Sequence, residues 1–148
     1  MQTEKHTIEQ ILEKNGKYLA PTVGVSMRPM LKEGRDTVVI LPKIGRLQPL
    51  DVALYRCGEK YLLHRVLRQI EGGYIIRGDN CYEDEKVPEE AVFGVLTEFF
   101  RKDEHILCSN EKYLRYVKRR LKSYKFRRFF YKIKRFIKKI LVRLKIKK

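Results

Sequence analysis

Between Lys17 and Cys108 short apolar runs alternate with turn signals and leave little room for helix, and this constrains the fold more than any other feature of the chain. Lys17 to Val25 reads as extended past Pro21. Asp36 to Leu41 is a run rich in β-branched residues, the pattern of a buried strand, and Pro42 ends it. A loop carrying Gly45 and Pro49 leads to a strand from Asp51 to Arg56. Cys57-Gly58-Glu59 turns it back as a hairpin into a long strand, Lys60 to Ile70, and Gly72-Gly73 turns that into Tyr74 to Arg77. Ala91 to Phe100 and Glu104 to Cys108 make a closing pair. The predicted fold class is mainly β, a compact and strongly bent β domain.

Charge divides the chain. Glu111 to Lys148 holds eighteen Lys or Arg against one Glu, a local charge of +17, so residues 1–110 are left at −1 of the chain's +16. A neutral body at 1–110 and a separate basic interaction element at 111–148 are expected. With 148 residues and 43% apolar content, the body is large enough for a hydrophobic core. Cys57, Cys81 and Cys108 are odd in number and lack metal-site spacing, which points to reduced thiols in a cytoplasmic setting and not to a disulfide framework. Met1 to His6 is polar and precedes no apolar stretch near the ~20 residues of a membrane span, so neither an export signal nor a spanning helix is expected.

Thr7 starts a short helix as N-cap, with Gln10 as its capping-box partner, Ile8, Ile11 and Leu12 on one face, and Asn15-Gly16 as the stop. It either packs on the body or guards a cleft. In the tail, Phe126, Phe129, Phe130, Ile133, Phe136, Ile137, Ile140, Leu141 and Leu144 fall within a sector of about 140° on a helical wheel. Leu114, Val117, Leu121 and Tyr124 lie on nearly the opposite side, which predicts a break near Ser123. The second segment, roughly 19 residues or ~28 Å as a helix, has the makings of an interfacial helix on anionic lipid. Packing on the body or a second copy, and nonspecific nucleic-acid binding through the basic face, are the alternatives.

Three stretches carry the candidate chemistry. Gly24-Val25-Ser26-Met27-Arg28-Pro29-Met30-Leu31 seats a small hydroxyl in a turn; Tyr61-Leu62-Leu63-His64-Arg65-Val66 follows the strand from Asp51; Gly78-Asp79-Asn80 comes third. In order and spacing they resemble the boxes of type I signal peptidases, over roughly residues 20 to 100. His64 stands where many bacterial members carry Lys, which is similar to the Ser-His branch typified by the endoplasmic-reticulum enzymes. The resemblance implies the β-rich fold shared with LexA-type repressors, a serine endopeptidase activity, a cleft shaped by Met27 and Pro29, and no cofactor. It departs from the family in lacking an N-terminal transmembrane helix, and in having Leu50 where the family has Gly, so a different turn is expected there.

Serine attack on an amide needs a base, and a neutral imidazole at His64 fits that need. A third group must orient the ring; Asp79 is the expected acid and Asp84 the alternative, with Glu85 in the same window. The oxyanion would be held by backbone amides near Ser26, where Gly24 keeps the approach open. Cys81 as a thiol nucleophile and Lys43 or Lys60 as the base are weaker alternatives. His6 and His105 read as surface residues, and no residue set has metal-ligand spacing. The expected function is Ser-His cleavage of an extended peptide, by a protein held peripherally at the cytoplasmic face of a membrane by its tail. A LexA-type self-cleaving regulator, or a noncatalytic membrane or nucleic-acid binding module on the same fold, are the alternatives.

Overall fold

The structure, a computed structural model, describes residues 6–146, with side chains as far as Arg143. The polar start of the chain at 1–5, the last two lysines and the side chain of Leu144, which the helical wheel places in the tail's apolar sector, lie outside the described residues.

Helix α1 (Ile8–Asn15) forms where its caps predict: Thr7 and Gln10 make the reciprocal capping box, and Gly16 closes the helix in the left-handed conformation. Eight strands follow among the described residues: β1 (Tyr18–Pro21), β2 (Asp36–Pro42), β3 (Val52–Cys57), β4 (Lys60–Ile70), β5 (Gly73–Arg77), β6 (Glu85–Pro88), β7 (Val92–Arg101) and β8 (Glu104–Leu107). They form one antiparallel sheet in the order β1-β2-β7-β3-β4-β5-β6, with β8 also on β7. The fold is mainly β and the sheet curls into a half-barrel. Register shifts at Val39/Ile40, Leu54/Tyr55 and Val66/Arg68 account for the bend, because each extra residue kinks its strand and steepens the local twist.

Two elements extend the sequence-based expectation. Part of the extended run after Lys17 pairs with β2 as edge strand β1, where Pro21 is tolerated because its missing N–H falls at the strand's end. Glu85–Pro88 pairs with β5 as β6. One core cluster gathers Ala53, Tyr55, Val66, Tyr74, Ile76 and Val92 from adjoining strands.

The chain divides into two compact units, 1–114 and 115–148, so the division falls inside helix α2 (Glu111–Lys122). The first turn of α2 belongs to the body because Tyr113 is buried there, its ring edge-on to Phe99 and its hydroxyl 3.2 Å from Arg65 Nη1. In the second unit α3 (Tyr124–Ile146) begins after a break at Ser123, the position expected from the change of apolar face. No helix among the described residues is long and apolar enough to cross a membrane.

Candidate active site

Ser26 lies in the loop between β1 and β2, in a turn closed by hydrogen bonds from Arg28 N to the Val25 carbonyl (3.2 Å) and from Leu31 N to the Met27 carbonyl (3.0 Å). Gly24 enters the turn at φ 84°, and a Cβ there would meet nothing within 4 Å. Its role is therefore the left-handed backbone itself, not the close approach that the sequence suggests. At the far end, Arg35 and Arg101 each donate to the Met30 carbonyl at 3.0 Å, and the buried Asp36 carboxylate accepts two 2.7 Å bonds from Arg35.

The third motif latches onto this turn. Asn80 N donates to the Ser26 carbonyl at 2.7 Å, Asn80 Nδ2 to the Val25 carbonyl at 3.2 Å, and Asp79 N approaches Met27 Sδ at 3.5 Å. A Cβ on Gly78 would stand 2.8 Å from the Ser26 carbonyl oxygen, 2.8 Å from Cys81 Sγ and 3.1 Å from His64 Nε2. Only glycine fits, and Ser26, His64 and the Gly78 segment border one small space.

His64 sits in β4, 4% exposed, opposite Ala53 of β3. Tyr55, two residues on from Ala53, shares that face, and its hydroxyl lies 2.8 Å from His64 Nδ1. The same hydroxyl donates to Glu85 Oε2 at 2.7 Å, and Glu85 Oε1 lies 3.0 Å from Nδ1. Tyr55 has one proton and gives it to Glu85, and a carboxylate can only accept, so Nδ1 carries the imidazole proton. The lone pair is then on Nε2, which is buried and makes no hydrogen bond among the described residues. Burial pulls the His64 pKa below the ordinary imidazole value, against the opposing charge and hydrogen bond of Glu85 and the charge of Asp79. Burial first, then the hydrogen bond and charge of Glu85, hold the Tyr55 phenol far above its ordinary value and so protonated.

Asp79, expected to orient His64, does not take that place. Its two oxygens accept from Arg65 Nε and Nη2 at 2.7 Å each. Arg65 is wholly buried and needs a carboxylate counterion; it also donates to the Leu50 carbonyl at 2.7 Å and to Met30 Sδ at 3.1 Å. Asp84 meets Arg77 Nη1 at 2.8 Å. The acid at Nδ1 is Glu85, which the sequence places in the same window as Asp84 without singling it out, and Tyr55 has no role in the sequence reading.

Leu50 is a second correction. It holds φ 86°, in the region that favours glycine, so the chain keeps a left-handed turn without the glycine. Its N–H donates to the Val66 carbonyl at 3.0 Å and its own carbonyl accepts from Arg65, and these bonds hold the strained residue.

A cleft of about 150 Å³ opens beside Ser26, lined by Met27, Ala20, Ile40, Leu54 and Leu62 among others. Met27 thus lines it as expected, whereas Pro29 is exposed and lies outside its lining. Helix α1 packs on the body through the buried Leu12, while its Ile8 lines the cleft and its Glu9 accepts from the Tyr61 hydroxyl.

The alternative groups are placed less favourably. Lys43 Nζ is bound to the Gly45 carbonyl at 3.1 Å and to Glu89 at 3.0 Å. Lys60 pairs with Cys57 at the exposed start of β4. Burial pushes the Cys81 thiol up, away from the thiolate a nucleophile needs, and Cys108 is pushed up to about 11. His105 is exposed and stacks on Phe100. Among the described residues no group of three or more His, Cys, Asp or Glu side chains is arranged to hold a metal ion.

No family model, curated protein or solved structure matches this chain.

Proposed function

We propose that the chain is a serine endopeptidase of the signal-peptidase-like, Ser-His type, with Ser26 as nucleophile, His64 as general base and Glu85, seconded by Tyr55, as the orienting pair. One observation carries this: His64 Nδ1 is pinned as a donor, and Nε2 is left as a buried acceptor with no partner among the described residues, beside the turn that presents Ser26. A histidine placed only for packing would have both nitrogens satisfied or wet.

In the reaction, Ser26 Oγ attacks the scissile carbonyl carbon while its proton passes to His64 Nε2. The C–N bond then breaks and the same proton goes to the leaving amine. Water attacks the acyl ester by the same route in reverse order and frees the acid. Backbone N–H groups of the Ser26 turn are the natural donors to the oxyanion.

The substrate is a peptide segment bound extended. β1 is an edge strand whose residues line the cleft, and its outer edge pairs with no strand among the described residues, leaving main-chain groups for a peptide to use. The apolar lining selects an uncharged side chain.

The test is covalent. An alkyl fluorophosphonate should add to one serine, located at Ser26 by peptide mass mapping, and labelling should vanish in Ser26→Ala and fall at least about a hundredfold in His64→Ala. Labelling that persists in Ser26→Ala would exclude Ser26, and a folded wild-type chain that never labels and never cleaves peptides would favour a noncatalytic module.

A further inference from the structure

Helix α3 has two faces that make opposite demands. Phe126, Phe129 and Phe136 are 66%, 59% and 65% exposed, and Ile137, Ile140 and Leu141 are exposed beside them. The Phe126 and Phe130 rings lie 4.6 Å apart and Phe129 meets Phe130 edge-on at 5.7 Å, so aromatic surface is gathered at one end of the stripe. The remaining circumference is mostly basic, with Tyr131 and Val142 set among the cations: from Tyr124 to Ile146 there are ten Lys or Arg and no Asp or Glu. Large apolar side chains left exposed over this length mark a surface that some partner covers.

We infer that α3 is a docking surface for an anionic lipid bilayer, lying in the plane of the headgroups with its Phe and Ile stripe entering the acyl boundary. Three partners would cover part of the helix, and charge decides between them. A second copy would bury both stripes, but would bring ten cations alongside ten more with no acidic residue on the helix to answer them. A nucleic acid would neutralise the cations and leave the Phe stripe in water, since all four Phe lie on the apolar face and only Tyr124 and Tyr131 stand among the basic residues where bases stack. A bilayer bearing anionic headgroups satisfies both faces together, apolar side inward and cations at the phosphate level. The helix is too cationic to go through the membrane. This surface is independent of the chemistry at Ser26.

The chain contains no tryptophan, so Phe136→Trp introduces a single fluorescent reporter on the stripe of the full-length protein. Vesicles of phosphatidylcholine with about 30% phosphatidylglycerol should shift its emission to the blue, and brominated acyl chains should quench it, whereas pure phosphatidylcholine should do neither at ~0.1 M salt. Replacing the exposed Lys134, Arg135, Lys138 and Lys139 together by Gln should lower partitioning at least about tenfold at ~0.1 M salt. Replacing Phe129, Phe136 and Ile140 by Ser in the tryptophan-free chain, all at exposed positions, should abolish the co-sedimentation with anionic vesicles that the wild-type chain retains at ~0.5 M salt. An emission maximum unmoved by anionic vesicles overturns the proposal. So does one that is already blue in buffer and depends on protein concentration, which would mean a second copy, or one that moves with duplex DNA and not with vesicles. Retention of full high-salt binding by the triple Ser variant would also overturn it.

Discussion

Arg65 and Asp79 face each other through two parallel 2.7 Å hydrogen bonds, with side chains only 1% and 2% exposed, directly beside the candidate base His64. The neighbouring residues of one strand therefore divide two jobs. Arg65 with Asp79 ties β4 to the third motif, through Met30 Sδ to the nucleophile turn and through the Leu50 carbonyl to the turn before β3; His64 with Glu85 and Tyr55 holds the proton.

Substitutions of the two acids should separate these jobs. Asp79→Ala leaves a buried guanidinium without its carboxylate and should cost about 3–5 kcal/mol of stability, read as a lowered midpoint in urea unfolding. Glu85→Gln, on a carboxylate more than a third exposed, should change the midpoint little while lowering kcat/KM about tenfold to a hundredfold. A Glu85→Gln protein with full activity, beside a stable but inactive Asp79→Ala protein, would return the orienting role to Asp79.

The pH dependence has a definite sign. The base works when neutral, so activity rises as pH increases through the His64 pKa, which burial holds below the ordinary ~6.5 of imidazole. Glu85 acts in the other direction by favouring the charged ring. Glu85→Gln should therefore move the acid limb of kcat/KM to still lower pH, as well as lowering its plateau. The same depression acts on stability: the contribution is whole above the unfolded-state pKa and is lost as pH falls from there through the folded value. A limb that moves upward in Glu85→Gln would contradict the contact.

Gly78→Ala tests how closely the motifs converge. The added Cβ would press on the Ser26 carbonyl and on His64 Nε2, and the first of these is backbone that cannot swing aside. Fluorophosphonate labelling should drop about a hundredfold or more, because a displacement of this order at a reacting pair is costly. Unchanged labelling of a folded Gly78→Ala protein would mean that Ser26 and His64 do not share this space.

Local signals made most of the framework legible. Thr7, Gln10 and Gly16 specify α1 through contacts no more than a few residues apart, and the basic tail repeats its apolar residues at helical period over several turns. The turn at Gly58-Glu59 sets Cys57 opposite Lys60 and so Ala53 opposite His64. Tyr55 was readable from that register as a neighbour of the histidine. Glu85 is legible only as one of two acids in the window after Asp79, since its contact with His64 depends on β6, a four-residue strand containing a proline, pairing with β5. Asp79 misled because the demand of Arg65 for a counterion arises only once β4 is buried. Leu50 misled for a similar reason: long-range bonds from Val66 and Arg65 hold a conformation its side chain disfavours.

The cleft offers the last prediction, because its size can be set against the side chain it receives. A cavity of about 150 Å³ with apolar walls is of the scale that takes benzene, so it has room for a leucine-sized side chain and not for alanine alone. Each methylene buried there adds roughly 0.8 kcal/mol, so among matched peptides Leu at the accommodated position, with three more carbons, should exceed Ala about fiftyfold in kcat/KM. Ala20 in β1 lines this space, half-buried at the sheet edge. Ala20→Phe should fill it, abolish the preference for Leu and leave labelling of Ser26 by a small fluorophosphonate nearly unchanged. Stability should move by no more than about 0.5 kcal/mol, since the position is at an edge strand that accepts aromatic residues. If Ala20→Phe kept the wild-type order of peptides, the cleft would not be where the substrate side chain binds; if it lost labelling as well, the substitution would have disturbed the nucleophile turn, and the register of β1 on β2 would be the place to look.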